Sequence, residues 1–110
     1  MNFLEIDDTL FCLFSGRLDG YVCSEIENDL LCQVNDFKKN RKSVRLTFDL
    51  ADVVFISSAF LRICLICCKI IDKNGFAITN VSEETYNVFH ISGFVEIMNV
   101  VRADTALQLA

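Results

Sequence analysis

Strand-like and helix-like hydrophobic patterns alternate along this sequence, and this alternation restricts the fold more than any other feature. Five short apolar or alternating segments predict strands, at residues 3–6, 10–14, 44–50, 76–79 and 97–101. Three longer segments carry the apolar spacing or density of helices, at residues 22–38, 58–73 and 83–91. Strands that alternate with helices favour an α/β domain with a partly parallel sheet and right-handed crossovers.

Turn and capping residues set the expected boundaries of these elements. We expect a turn, a loop and a short bridge at residues 7–9, 15–20 and 51–56. Gly75 is predicted to cap the C-terminal end of the second helix, because glycine adopts the backbone conformation that such caps require. Ser82 is predicted to cap the start of the third helix. Asp104 is expected to begin a final short turn that ends at Leu109.

Length and composition predict one domain over residues 1–110. The sequence is 53% hydrophobic, which is enough for a core and leaves some apolar surface for a partner. No apolar run approaches the roughly 18 residues of a membrane-spanning helix, and the acidic N-terminus does not resemble a signal peptide. We therefore expect a cytoplasmic protein without membrane insertion. The net charge of −5 argues against nucleic acid or an anionic membrane as partner, since both attract basic surfaces.

The sequence has six cysteines, and three of them form the stretch C-L-I-C-C within the second predicted helix. Without an export signal, disulfides are not expected. The spacing of Cys64 and Cys67 matches half of a zinc or redox site, but there is no second pair and His90 is the only histidine. We expect these thiols to pack in the core, with a thiol-redox role as the alternative, and we expect no metal or other cofactor.

The stretch F-I-S-S-A-F, residues 55–60, leads from a predicted strand into the second predicted helix. In parallel sheets, functional groups gather where the carboxyl end of a strand meets the next helix. Ser57 is predicted to be the N-cap, with its hydroxyl accepting from a backbone N–H of the first turn. Ser58 is then the first helical residue, where backbone donors and the positive helix end favour a phosphate. The residues alone leave open whether Ser58 only begins the helix or is also modified.

We predict that the protein is not an enzyme, and we identify no catalytic residue in the sequence. A serine nucleophile needs a base, and the only histidine, His90, lies in an apolar stretch of the third predicted helix. Neither a glycine-rich phosphate loop nor a G-x-S-x-G motif is present. The adjacent acids at residues 7–8 and 83–84 occupy a turn and a helix start, where acidic residues are expected without chemistry.

Three stretches together resemble the STAS domain, the family of bacterial anti-sigma factor antagonists and of the cytoplasmic tails of sulfate transporters. G-R-L-D at residues 16–19 resembles the family loop before the first helix. Residues 48–59 resemble the family strand and its signature, D-S-[S/T]-G-L or S-S-A-G-L-R, with Ser57 at the position of the aspartate, and I-S-G-F at residues 91–94 resembles L-S-G-L near the end of the third helix. The resemblance covers almost the whole chain. It implies one domain with a mixed, largely parallel sheet of four to five strands and three to four helices.

The resemblance also implies a function. Antagonists of this family bind an anti-sigma factor, often a serine protein kinase, which inactivates them by phosphorylating the first serine of the signature, and a serine phosphatase reverses this. That serine matches Ser58, which is therefore the expected phosphorylation site that switches binding off. The expected partner-binding residues are Asp19, Ser57, Ser58, Ala59, Phe60 and Arg62.

Two positions depart from the family pattern. The common aspartate before the serine is Ser57, and the glycine two residues after Ser58 is Phe60. Phe60 either turns into the core or forms a hydrophobic anchor on the contact face. STAS domains also serve as non-switching accessory subunits of a lipid-transport ATPase complex or as parts of stress-sensing scaffolds, and this is the alternative function. Phe60 favours such a constitutive interface, whereas the retained Ser58 favours the switch.

Overall fold

In the computed structural model, which describes residues 1–103, five strands and three α-helices alternate along the chain. They are β1 (Asn2–Ile6), β2 (Thr9–Leu18), α1 (Gly20–Lys38), β3 (Arg45–Ile56), α2 (Ser58–Ile71), β4 (Phe76–Val81), α3 (Glu83–Ile91) and β5 (Asn99–Arg102). A short 3-10 turn, Phe94–Glu96, precedes β5. The predicted α/β class is confirmed. The turn expected at residues 104–109 lies outside the described residues.

The five strands form one mixed sheet in the order β1-β2-β3-β4-β5 within the described residues. The β1–β2 pair is antiparallel, and the other three pairs are parallel. Alternate residues of β2, β3 and β4 are buried, so that one face of the sheet supplies the core. Helices α1 and α2 pack against each other and against this core. The sheet therefore has the mixed, largely parallel arrangement that was predicted.

Four phenylalanines hold the first turn of α2 against the sheet. The ring of Phe14 lies 4.9 Å from that of Phe48 and 5.2 Å from that of Phe60, centroid to centroid. Phe76 extends the cluster, 5.0 Å from Phe48. The Phe60 side chain is 0% exposed. Of the two alternatives at position 60 the structure shows the inward one, because the ring fills the space between α2 and the sheet. Phe60 is thereby removed from the predicted partner-binding residues.

Strands β2 and β3 both extend further than predicted. Residues 15–18 and 51–56, expected as a loop and a bridge, pair with each other as far as Leu18 and Ile56. The pairing register shifts twice in this region, and Gly16 has a positive φ of 76°. Such bulges disrupt the alternation of apolar and polar residues. The sequence pattern of a strand is therefore lost where the strand itself continues.

Gly75 has a different role from the predicted helix cap. The C-cap of helix α2 is Asp72, which itself takes a positive φ of 99° and donates its N–H to the Cys68 carbonyl oxygen. A Cβ at Gly75 would lie 2.8 Å from the carbonyl oxygen of Val44 and 3.0 Å from a methyl carbon of Ile71. Glycine is therefore needed for the close approach of the chain to the start of β3, not for a left-handed cap.

Five of the six cysteines are buried and all six thiols are free; Cys32 on α1 is exposed. Burial raises the pKa of the Cys67 thiol to about 12, with the neighbouring Cys68 adding to the effect. Burial likewise raises the pKa of Cys64 far above its ordinary value. All three cysteines of the C-L-I-C-C stretch belong to the buried core, so the core interpretation is confirmed for this stretch. Among residues 1–103, no helix is long and apolar enough to cross a membrane.

The close packing at Gly75 predicts a stability difference between two glycine-to-alanine variants. Gly75→Ala should lower the free energy of unfolding by about 1–3 kcal/mol, because the new methyl group overlaps the backbone carbonyl oxygen of Val44 and crowds the Ile71 methyl group. Gly20→Ala is the matched control: no atom lies within 4 Å of its added Cβ, and we expect a change between zero and about 1 kcal/mol of stabilisation. Urea denaturation measures both. Equal stabilities of the two variants would contradict the packing role of Gly75.

Candidate functional site

Helices α1 and α2 begin side by side at the carboxyl ends of two neighbouring parallel strands. Leu18 and Ile56, the last residues of β2 and β3, are paired, and each strand is followed at once by a helix N-cap. Asp19 caps α1 by accepting from the Val22 N–H at 2.9 Å. Ser57 caps α2 by accepting from the Phe60 N–H at 3.4 Å. The two N-caps therefore lie next to each other, and both helix starts direct unpaired N–H groups to the same end of the sheet.

Ser57 also fixes α2 to the end of β2. Its hydroxyl donates to the Leu18 carbonyl oxygen at 2.8 Å, and its backbone N–H donates to the same oxygen at 3.1 Å. The Cys23 thiol approaches that oxygen at 3.7 Å. The single proton of the Ser57 hydroxyl is thus used inside the fold, while its lone pair accepts from the helix. The prediction that Ser57 is the N-cap is confirmed, and its hydroxyl is committed to structure.

Ser58 occupies the first position of α2, as predicted, and its side chain is exposed. Its neighbours Ser57 and Ala59 are half-buried, and Phe60 is buried. Within this first turn Ser58 is therefore the hydroxyl that an outside molecule can reach. It stands beside unpaired backbone N–H groups, where the helix dipole favours a negative charge.

Arg62 lies one turn further along α2, and its guanidinium forms an ion pair with the Glu27 carboxylate of α1. The Arg62 side chain is 59% exposed and that of Glu27 is 24% exposed. Such a pair at the surface is worth only about 0.2–1 kcal/mol. It nevertheless places a cation and an anion at the seam between the two helices, next to the exposed serine.

Exposed apolar side chains from both strand ends and from the first turn of α1 belong to the same end of the sheet. Tyr21 in α1 is 73% exposed and Val54 in β3 is 69% exposed. The Arg17 guanidinium lies 4.3 Å from the centre of the Phe55 ring. Apolar side chains mixed with a few charges are typical of protein–protein contact surfaces.

These four residues are not among the predicted site residues, because the predicted β2 and β3 end before Arg17, Val54 and Phe55, and the predicted first helix begins after Tyr21. The signal was nevertheless present in the sequence. Tyr21 and Phe55 each lie two positions from the G-R-L-D and S-S-A stretches and outside the apolar positions of the predicted helices, and aromatic residues at such places point to a contact surface.

Of the predicted site residues, Asp19, Ser57, Ser58, Ala59 and Arg62 are brought together around the two helix starts. His90, the only histidine, is exposed on α3 and stacks on Tyr86, with 6.4 Å between the ring centroids. In residues 1–103, no group of three or more histidine, cysteine or acidic residues is placed to hold a metal ion. The arrangement is an exposed surface that combines two helix starts, the exposed Ser58 hydroxyl, and apolar and charged side chains.

The sequence matches no protein-family model, and no curated protein is significantly similar to it. Solved structures are similar in fold. An anti-sigma factor antagonist (STAS) domain protein from Planctomyces limnophilus is 18% identical, with a TM-score of 0.79 over 98% of this chain and 94% of that chain. A Thermotoga maritima protein described as a candidate anti-sigma factor antagonist is 17% identical, with a TM-score of 0.78 over 97% of this chain and 90% of that chain.

The structure of the anti-sigma factor antagonist SpoIIAA in its unphosphorylated form is 13% identical, with a TM-score of 0.66 over 98% of this chain and 93% of that chain. These likenesses show that the chain has the fold of STAS domains. They confirm the fold that the three sequence stretches predicted.

The different hydrogen bonding of the two adjacent serines predicts different effects of alanine on stability. Ser57→Ala should lower the free energy of unfolding by about 1–2 kcal/mol, because it removes the helix cap and the donor to Leu18. Ser58→Ala is the matched control, with a change within about 0.5 kcal/mol, because its side chain is exposed. Chemical denaturation of the two variants measures the difference. A larger loss at Ser58 than at Ser57 would contradict the assignment of roles.

Proposed function

We propose that this protein is an anti-sigma factor antagonist, which binds an anti-sigma factor through the surface around the starts of α1 and α2. The observation that carries the proposal is the exposed Ser58 at the start of α2, beside the cap of α1 and at the same end of the sheet as exposed apolar side chains. Three structures with the same fold are described as anti-sigma factor antagonists, one of them as a candidate, and this supports the proposal.

The contact surface combines the two helix starts with the exposed side chains of Tyr21, Val54 and Phe55. Asp19 and Ala59 contribute from the cap of α1 and the first turn of α2. Aromatic side chains commonly supply most of the binding energy of such surfaces, because they bury a large apolar area with few rotatable bonds. The anti-sigma factor would cover Ser58 when it binds this surface.

The anti-sigma factor acts as a serine kinase in this proposal and switches off its own binding. The Ser58 Oγ attacks the γ-phosphorus of ATP, an O–P bond forms, the bond to ADP breaks, and the hydroxyl proton passes to a base of the kinase. The new phosphate carries a charge of about −1.5 to −2. Rebinding would require this charge to be buried among apolar side chains, which weakens binding strongly when no partner cation compensates.

A serine phosphatase restores the hydroxyl by adding water to phosphorus and releasing inorganic phosphate. The structure of SpoIIAA is described as that of its unphosphorylated form, which agrees with a phosphate switch in a protein of this fold. The inward orientation of Phe60 also favours the switch, because no large side chain at position 60 stands between Ser58 and a kinase. We place this function in the bacterial cytoplasm and assign no enzymatic activity to the chain itself.

A second candidate function is a non-switching accessory subunit, as in a lipid-transport ATPase complex or a stress-sensing scaffold. One observation favours it: Leu4, Ile6 and Leu13 are exposed on the face of the β1–β2 pair opposite the buried Leu10 and Cys12. This apolar surface does not include Ser58, so a partner bound there would be insensitive to charge at the start of α2.

The charge of residue 58 separates the two functions. We expect wild type and Ser58→Ala to retain an anti-sigma kinase from extracts of the source organism. Ser58→Glu should lose it, with the affinity for the purified kinase reduced by about tenfold or more. Mass spectrometry identifies the retained proteins, and calorimetry measures the affinities.

Ser58→Gln is the matched control, since it has the size of glutamate without the charge, and it should bind like wild type. If Ser58→Glu and Ser58→Gln both bind the kinase as tightly as wild type, the charge switch is wrong. A transport ATPase or scaffold protein retained equally by all variants would instead establish the second function.

A further inference from the structure

The ion pair between Arg62 and Glu27 lies one helical turn from Ser58, where a charge on Ser58 would interact with it strongly. Arg62 follows Ser58 by four positions on α2, so that the two side chains lie one above the other on the same helix face. The guanidinium is occupied by Glu27, which belongs to the other helix. Arg62 thus pairs with the neighbouring helix while it lies one turn from the position that can be phosphorylated.

The α1 side of this seam is acidic. Asp19, Cys23 and Glu27 follow each other at intervals of four residues and therefore share one face of α1. Burial raises the pKa of the Cys23 thiol, the nearby carboxylates of Asp19 and Glu27 raise it further, and Arg62 acts in the opposite direction. Cys23 lies between Asp19 and Glu27 on this face, and its thiol contacts the Leu18 carbonyl oxygen, which also accepts from Ser57.

We propose that Arg62 exchanges partners when Ser58 is phosphorylated: it leaves Glu27, binds the phosphate, and frees the Glu27 carboxylate at the seam between α1 and α2. This inference rests on the proposed function and identifies how the charge of Ser58 is transmitted to α1. In this proposal Glu27 pairs with Arg62 until a stronger anion, the phosphate on Ser58, is present on α2.

The competition favours the phosphate for three reasons. The phosphate carries about twice the charge of a carboxylate and offers three acceptor oxygens, to which a guanidinium binds in a bidentate manner. An anion four positions before a cation is the favourable order on a helix. Arg62 is 59% exposed, so that it can turn from one partner to the other without opening the core.

The exchange enlarges the change in surface charge that a binding partner encounters after phosphorylation. In the unmodified protein the charges of Arg62 and Glu27 compensate each other at the seam. Glu27 is only 24% exposed in this pair, so that loss of its cation beside a new negative charge should turn its carboxylate towards solvent. Asp19 and the phosphate at the two helix starts, together with Glu27 at the seam, then present negative charge to a partner.

The test uses the whole protein with phosphoserine incorporated at position 58 during synthesis, so that no kinase or binding partner is needed. The second pKa of the phosphate is measured by phosphorus-31 NMR in four proteins: the phosphorylated parent, Arg62→Gln, Glu27→Gln and the double variant. Arg62→Gln should raise this pKa by about 0.5 pH unit or more, because the phosphate dianion loses its cation. Arg45→Gln and Glu25→Gln are matched controls at exposed positions away from the seam and should leave it unchanged.

The double variant separates exchange from simple repulsion. If Glu27 competes for Arg62, Glu27→Gln lowers the phosphate pKa more when Arg62 is present than when it is absent. The exchange would be overturned if Glu27→Gln changed the phosphate pKa equally with and without Arg62, or if Arg62→Gln left this pKa unchanged. Because these titrations involve no partner, they can succeed even if the anti-sigma factor is not bound, and they can fail while the charge switch at Ser58 holds.

Discussion

The carbonyl oxygen of Leu18 determines the geometry of this protein's candidate contact surface. It accepts from both the backbone N–H and the hydroxyl of Ser57, and these two bonds join the end of β2 to the start of α2. With the first turn of α2 fixed in this way, the rotation of the helix is set. Residues 58 and 60 are about 200° apart around the helix axis, so Phe60 turns into the core as Ser58 turns outward.

Two adjacent serines therefore have different roles for a physical reason. The hydroxyl of Ser57 has its donor and its acceptor capacity used within the fold, whereas Ser58 remains exposed beside the helix dipole. Because Ser57 and Phe60 hold the first turn of α2 in place, a modification of Ser58 would change the surface without unfolding the protein. The ion pair of Arg62 and Glu27 joins α2 to α1 at the surface, one turn beyond Ser58.

The sequence predicts the features that depend on local pattern. The alternation of strands and helices, the cap at Ser57 and the position of Ser58 follow from periodicity and from helix-end chemistry. Features that depend on contacts between distant residues were missed. The ends of β2 and β3 are stabilised by each other through bulged pairing, the inward turn of Phe60 depends on three other aromatic rings, and Arg62 and Glu27 are 35 residues apart. Gly75 was assigned to the wrong role because a single sequence does not show which backbone approaches it.

The most direct measurement of the central claim maps the surface that a captured anti-sigma factor contacts. The backbone amides of the isotope-labelled protein are recorded by NMR during titration with the unlabelled partner. We expect the signals of residues 17–27 and 54–62 to change, while those at the opposite end of the sheet, residues 38–45, stay in place. Changes centred on residues 38–45 or on β1, with the signals of residues 57–62 unaltered, would contradict the claim.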